Sequence, residues 1–296
     1  MSTVMACDPT AEWLSAARQG VARSSVCAWR GGEFHEADDS LAEETPVALV
    51  FNGISHAVML ATPLDLEDFA LGFALSDGIL ESVNELYGVD TVVTDLGIEL
   101  QLEVASACLQ RLKARRRTLA GRTGCGLCGT ESLAQLTRAW PTPAGKLRIT
   151  PAAVASALSA LHAGQTLQHL TGSLHAAAWC DADGRGLLVR EDVGRHNALD
   201  KLVGALAAQQ VDPGSGFIAV TSRASVEMVQ KALTAGVDIL VAVSAPTALA
   251  VEQARRGGLG LAGFARGERF VCYAYAERFG RSVPQQEKER ATPAAR

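Results

Sequence analysis

The sequence predicts an α/β protein with a largely parallel sheet in its C-terminal half and a smaller α+β domain before it. Three observations lead there. From residue 171 to about 276, short apolar runs alternate with helical segments, the pattern of strands joined by covering helices. Between residues 47 and 105, apolar runs with turn signals surround a single helical pattern. The two regions are joined by a glycine- and cysteine-rich stretch that follows neither period. With 296 residues the chain is long enough for two domains, and 48% apolar against 20% charged residues is globular composition.

Residues 1–45 are rich in Ala and acidic side chains with poor periodicity, so a weakly structured arm with one strand near 26–29 is expected. The first clear unit is 47–51, Asn52-Gly53, then 54–61. Asn-Gly between apolar runs is a hairpin signal, because a type I′ turn needs φ > 0 at both central positions. Thr62-Pro63 ends the hairpin and Asp65 is expected to cap a helix. Leu66, Phe69, Ala70, Phe73 and Ala74 then recur at helical spacing up to Gly78. Strands are expected at 89–93 and 98–104, and a basic helix at 108–120.

Beyond the cysteine stretch, 132–140 reads as a short helix and 141–145 as a turn. Thr150-Pro151 is a helix start with proline at the first helical position, and that helix runs to about His162. Runs 175–180 and 186–190 flank Asp183-Gly184 as a second hairpin. There follow a helix (196–209), a strand (217–221), a helix (226–235), a strand (239–244), a helix (247–256) and strands at 259–264 and 270–276. The domain expectation is therefore an arm (1–45), a small α+β domain leading into a basic helix (46–120), a mobile CxxC loop (121–130), an α/β domain (131–278) and a disordered tail (279–296).

A formal net charge of −5 argues against a nucleic-acid partner, since such binders are normally basic. No apolar run approaches the ~18 residues that cross a bilayer. The first 13 residues lack Lys, Arg and an apolar core, so a cytoplasmic protein is expected. Seven cysteines, only two of them close in sequence, fit reduced thiols better than a disulfide framework.

Those two lie in Gly121-Arg-Thr-Gly-Cys-Gly-Leu-Cys-Gly129. Glycine around Cys125 and Cys128 favours a loop. The upstream basic run from Arg111 to Arg117 would stabilise a thiolate. Three chemistries fit a C-x-x-C pair. A zinc site lacks a second ligand pair, and the zinc-deaminase signature is missing because no His has Glu two residues on; no metal is expected. A thiol–disulfide oxidoreductase would place the pair at a helix start in a βαβ unit. A persulfide relay needs one accessible thiolate of lowered pKa on a loop, with a second thiol to pass on or expel the sulfur. The relay suits the glycine flanks best.

In open α/β sheets, ligands bind beyond the carboxyl ends of the strands. Here Glu191 to Asn197, with Arg195 and His196, follow one strand. Ser222-Arg223-Ala224-Ser225 and Ser244-Ala-Pro-Thr247 follow two others. Helix N-termini with arginines suit phosphate, although Ser, Thr and Asp at such places also cap helices. Phe264-Ala265-Arg266-Gly267-Glu268-Arg269 adds two arginines and an aromatic at a later strand end. His175 and His196 are candidate site or structural histidines, and Asp192 could orient an imidazole or cap a helix.

The cysteine block, Thr171-Gly-Ser-Leu-His-Ala-Ala177, Arg190-Glu-Asp-Val-Gly-Arg-His-Asn-Ala-Leu-Asp-Lys201, Thr221-Ser-Arg-Ala-Ser225, Ser244-Ala-Pro-Thr247 and Gly263-Phe-Ala-Arg-Gly267 together resemble the FdhD family of sulfurtransferases required for formate dehydrogenase activity. The match runs from about Glu43 to Arg278; Ser173 departs from the glycine often found in relatives. The resemblance implies a cytidine-deaminase-like three-layer core with a smaller N-terminal α+β domain, in a homodimer. It implies that Cys125 carries a persulfide, assisted by Cys128, from a cysteine desulfurase to the molybdenum bis(molybdopterin guanine dinucleotide) cofactor bound as acceptor, with formate dehydrogenase as recipient. The cofactor-binding stretch would be Phe264, Ala265, Arg266, Gly267, Glu268 and Arg269, with Arg195, His196, Ser222 and Arg223 as further contacts. The rival reading is a non-catalytic chaperone that binds and delivers the molybdenum cofactor.

Overall fold

The computed structural model describes residues 20–119 and 143–281. Cys125, Cys128, the helix expected at 132–140 and the tail from 282 lie outside the described residues. The described chain forms two compact units, one holding residues 20–119, 164–177 and 189–210, the other 143–163, 178–188 and 211–281. The sequence reading takes its domains as consecutive pieces; these units are interleaved.

The first unit opens with an antiparallel hairpin of β1 (Val21–Arg30) and β2 (Glu33–Ala42), where the sequence reading expects one strand in a weakly structured arm. Neither strand buries a whole face, which is why the alternation is faint. A four-stranded sheet follows in the order β4-β3-β6-β5. Its strands are β3 (Thr45–Phe51), β4 (Ile54–Ala61), β5 (Leu86–Thr94) and β6 (Gly97–Val104), with β3 parallel to β6 and the other pairs antiparallel. Asn52 and Gly53 turn β3 into β4 with φ of 45° and 78°, as the Asn-Gly signal requires.

Helix α1 (Leu66–Ser76) buries Phe69, Ala70 and Phe73 in a core with Val47, Leu49, Phe51, Leu100 and Leu102. Asp65 does not cap it: its φ is 52° and its carboxylate accepts no backbone N–H of the first turn. The carboxylate instead lies 3.6 Å from Arg190, which also grips Asp68 at 2.7 Å. Helix α2 (Ser106–Leu119) carries the basic run. Its Arg111 donates to the Ile79 carbonyl and to Glu85 and lies 3.4 Å from Glu81, so this cation is engaged within its own unit.

Helix α3 (Pro151–Ala163) belongs to the second unit and starts as expected, with Thr150 Oγ1 accepting from the Ala153 N–H at 3.1 Å. A short helix, α4 (Thr166–Thr171), and α5 (Arg195–Ala208) complete the first unit. Helices α1 and α5 cross at Gly72 and Gly204. A Cβ on Gly72 would lie 1.7 Å from the Asp200 carbonyl oxygen, and one on Gly204 1.9 Å from that of Asp68. Only glycine permits backbones this close.

A six-stranded sheet has the order β12-β11-β10-β9-β7-β8. Strands β7 (His175–Asp181) and β8 (Gly186–Asp192) run from one unit into the other. Strands β9 (Gly216–Val220), β10 (Ile239–Ala242) and β11 (Gly260–Arg266) are parallel, and β12 (Arg269–Ala274) returns antiparallel. Every residue of β9 and β10 is buried, which gives the unbroken apolar runs of a covered parallel sheet. Helices α6 (Val226–Thr234) and α7 (Ala248–Gly257) fill the connections. Asp238, before β10, accepts the N–H groups of Gly145 and Leu147 at 2.7 and 2.9 Å and so fastens the incoming chain.

Candidate functional site

In the second unit, three strand-end loops lie side by side because the strands feeding them are neighbours. The Ser244 N–H donates to the Ser222 carbonyl and the Thr247 N–H to the Ala224 carbonyl, while the Phe264 N–H donates to the Ser244 carbonyl at 3.1 Å. Ala224 and Pro246 form a parallel bridge. A side chain at Gly263 would meet Pro246 Cδ at 2.8 Å and the Ser244 oxygen at 3.1 Å, so glycine lets β11 enter this cluster.

The polar side chains here divide between structure and surface. Thr247 caps α7, accepting from the Ala250 N–H at 3.3 Å. Ser225 stands at the start of α6 without capping it; its hydroxyl donates to Glu227 at 3.0 Å. Ser222 is buried and its hydroxyl donates to the Arg223 carbonyl at 3.0 Å. Arg223, Arg266 and Arg269 project from the exposed surface. Arg266 and Arg269 face each other across the β11–β12 turn, whose Gly267 has φ of 55° and whose Glu268 is also exposed.

Phe264 takes φ of 52°, a region costly for a bulky side chain, and the residue is 48% exposed. Ala265 beside it is buried and anchors the strand. The arrangement offers guanidinium forks for phosphate and an aromatic face for a base. Of the sequence-derived contacts, this unit brings together Ser222, Arg223 and Phe264 to Arg269. Arg195 and His196 belong to the other unit.

Around those two residues most of the block from Arg190 to Lys201 is scaffold. Glu191 accepts the Leu167 and Gln168 N–H groups, both at 2.8 Å, at the start of α4. Asp192 accepts from the Thr62 N–H at 3.0 Å, the Gly194 N–H at 2.8 Å and Asn197 Nδ2 at 3.0 Å. It also pairs with Lys201 Nζ at 2.7 Å, both side chains being fully buried. Lys201 donates further to the carbonyls of Thr62 and Glu191 at 2.9 and 3.2 Å. Asp192 is thus the centre of a buried network, not a dedicated orienter of His196. Sequence reading missed Lys201 and Thr62, because nothing at a spacing of 139 residues signals a hydrogen bond.

His175 begins β7, half-buried. Its imidazole is held below the usual histidine range, first by burial and then by the charges of Arg195 and His196, with Asp192 opposing. Cys108, Cys180 and Cys272 make poor nucleophiles. Burial pushes Cys180 up to about 12, and it also raises Cys108 and Cys272.

The FdhD/NarQ family model matches residues 42–280. The chain belongs to the FdhD/NarQ family. The motifs that resemble FdhD in the sequence therefore identified the family found. Among relatives, the "Sulfur carrier protein FdhD" of Variovorax paradoxus (strain S110) is 62% identical over 237 residues, 80% of this chain and 85% of the relative. The protein of the same name from Bordetella petrii is 54% identical over 263 residues, 88% of this chain and 95% of the relative. The crystal structure of a candidate formate dehydrogenase accessory protein from Desulfotalea psychrophila superposes with a TM-score of 0.71 at 23% identity. It covers 88% of this chain and 99% of that one, which establishes the shared mixed α/β fold. Among the described residues no helix is long and apolar enough to cross a membrane.

Proposed function

We propose that this FdhD/NarQ protein carries sulfur for formate dehydrogenase maturation, as a persulfide on Cys125, from a cysteine desulfurase to the molybdenum bis(molybdopterin guanine dinucleotide) cofactor. The observation that carries the reading is the cluster of three strand-end loops bearing Arg223, Arg266, Arg269 and Phe264, in a chain 62% identical to a named sulfur carrier. Guanidinium groups pair with pyrophosphate oxygens in a bidentate manner. The N-termini of α6 and α7 add oriented N–H groups, and the exposed Phe264 ring offers a stacking face to guanine. The second unit then corresponds to the cytidine-deaminase-like core that the motifs imply, and the protein works as a cytoplasmic homodimer.

The chemistry balances with two thiols. The Cys125 thiolate attacks the outer sulfur of the donor's persulfide; the donor's S–S bond breaks and its cysteine leaves as thiolate. Cys128, as thiolate, then attacks the inner sulfur of the Cys125 persulfide. A Cys125–Cys128 disulfide forms and hydrosulfide departs. With one proton, hydrosulfide replaces an oxo ligand of the bound molybdenum, and water leaves. A cellular dithiol reduces the disulfide for the next round. Holding the acceptor on the same protein favours transfer over loss of sulfide to solvent.

The test is mass spectrometry of the protein after incubation with a cysteine desulfurase and cysteine. One sulfur atom added to the Cys125 peptide, absent in Cys125→Ala, is expected, together with loss of formate dehydrogenase maturation in that variant. Full maturation by Cys125→Ala would leave only the chaperone reading.

A further inference from the structure

The ribbon of β1 and β2 precedes the stretch that the family model matches, and the candidate site does not use it. Gly31 and Gly32, with φ of 61° and 94°, join its strands. At its base the Glu43 N–H donates to the Gly20 carbonyl at 3.0 Å. Among the described residues neither strand pairs with a third. Two strands alone build no core, so side chains near the tip stay in water. Trp29 and Phe34 stand opposite each other there, 61% and 70% exposed. Their rings meet edge to face with centroids 4.8 Å apart. Contiguous exposed aromatics are the usual anchors of a protein contact.

The free edge of β2 has a definite chemistry. The Gly31-Gly32 turn makes Arg30 and Glu33 a hydrogen-bonded pair. The main-chain groups of Glu33, His35, Ala37 and Asp39 then face β1, and those of Phe34, Glu36, Asp38 and Ser40 face outward. Ser40 agrees: its N–H donates to the Asp39 carboxylate at 2.8 Å, not to β1. Phe34, Glu36 and Asp38 are all exposed, although β2 also meets α4. Their side chains share one face of the ribbon with Trp29. Glu36 engages no partner among the described residues, and Asp38 accepts the Ser25 hydroxyl at 3.2 Å. In all, β2 carries the carboxylates of Glu33, Glu36, Asp38 and Asp39 and no Lys or Arg. Acidic side chains on an edge repel a second β2, since like charges would face each other across the new ladder. The same side chains attract a basic strand.

We propose that the free edge of β2 captures an extended basic segment of another protein as a third, antiparallel strand. Read from its N-terminus, that segment carries cations opposite Asp38 and Glu36 and an apolar side chain opposite Phe34. Trp29 packs on Phe34 and holds that ring in place. Main-chain bonds supply the affinity, and the alternating side chains set partner and register. The capture needs neither Cys125 nor the nucleotide loops, so it stands or falls apart from the proposed function.

The test uses the full chain and three capped peptides. One is Thr-Lys-Thr-Arg-Thr-Leu-Thr; the second is the same peptide N-methylated at Lys, Arg and Leu; the third has Glu in place of Lys and Arg. Fluorescence anisotropy measures binding, and hydrogen-exchange mass spectrometry locates it. The basic peptide should bind and slow exchange across residues 34–38. The N-methylated and acidic peptides should bind about tenfold more weakly or not at all, having lost the ladder bonds or the opposite-charge pairs. Glu36→Lys with Asp38→Lys should reverse the preference and favour the acidic peptide. Where that variant loses the ribbon, seen as fast exchange throughout 21–42 without peptide, the native chain with the three peptides decides. No saturable binding of the basic peptide, equal binding of either other peptide, or slowed exchange elsewhere than in β2 would overturn the proposal. So would exchange across 34–38 that slows with protein concentration alone, which would give the edge to a second copy of this chain.

Discussion

Replacing Lys201 with Met tests whether the Arg190–Lys201 block is chiefly scaffold. Lys201 and Asp192 are both fully buried, 2.7 Å apart. The substitution keeps most of the side chain's volume and removes the ammonium. Asp192 retains three donors, from Thr62, Gly194 and Asn197. The carbonyls of Thr62 and Glu191 each lose the bond that Lys201 makes to them. Breaking a buried pair from one side costs about 3–5 kcal/mol, and the remaining donors place this case near the low end. A loss of ~3 kcal/mol corresponds to a drop in Tm of about 5 °C at this size. Urea unfolding followed by circular dichroism measures the first quantity and calorimetry the second. Under the proposed function, the folded variant should match the native protein in guanine-nucleotide binding. Native-like stability, or a selective loss of nucleotide binding at full stability, would refute the scaffold assignment. A Lys201→Met, Asp192→Leu double variant should lose further stability and recover none, because removing the carboxylate leaves the Thr62, Gly194 and Asn197 donors without their acceptor.

Gly204→Ala should destabilise by about 3 kcal/mol, the upper end of overpacking, since its Cβ would lie 1.9 Å from the Asp68 oxygen and helix backbones cannot yield that far without parting; stability within experimental error would mean the helices slide freely. Arg111 beside Glu85 holds that carboxyl at about 2, below its ordinary value of 4.5. Its stabilising effect is therefore fully present above pH ~4.5 and lost as pH falls through about 2. Glu85→Gln should flatten the acid limb of the stability curve in that window, and an unchanged limb would remove the pair from the account. Arg266→Ala with Arg269→Ala should weaken guanosine diphosphate binding about tenfold or more, ~1.4 kcal/mol by calorimetry, and unchanged affinity would exclude the β11–β12 turn.

Much of the site was legible because its signals are local. Polar loops after apolar runs predicted the strand-end cluster of Ser222, Arg223 and Phe264 to Arg269, and neighbouring parallel strands necessarily bring such loops together. Asp65 misled because its sequence neighbours look like a helix start, whereas its carboxylate lies near Arg190, more than a hundred residues on. Arg111 likewise reads as part of a basic run, but Glu85 and Glu81 take its charge. The hairpin of β1 and β2 was half seen, because a ribbon that buries little surface needs little apolar alternation.

The sequence by itself determined most of the described strands and helices, where Asn52-Gly53 turns the chain, and the family to which the motifs belong. Those features follow from the period of burial along the chain and from backbone rules that act within a few residues. Only the tertiary structure decided that the two units interleave, that α1 and α5 meet at bare glycines, and that Asp192 and Lys201 are joined in the interior. Such outcomes depend on which distant groups exclude water together, and the energy of a buried charge belongs to its surroundings rather than to its place in the chain.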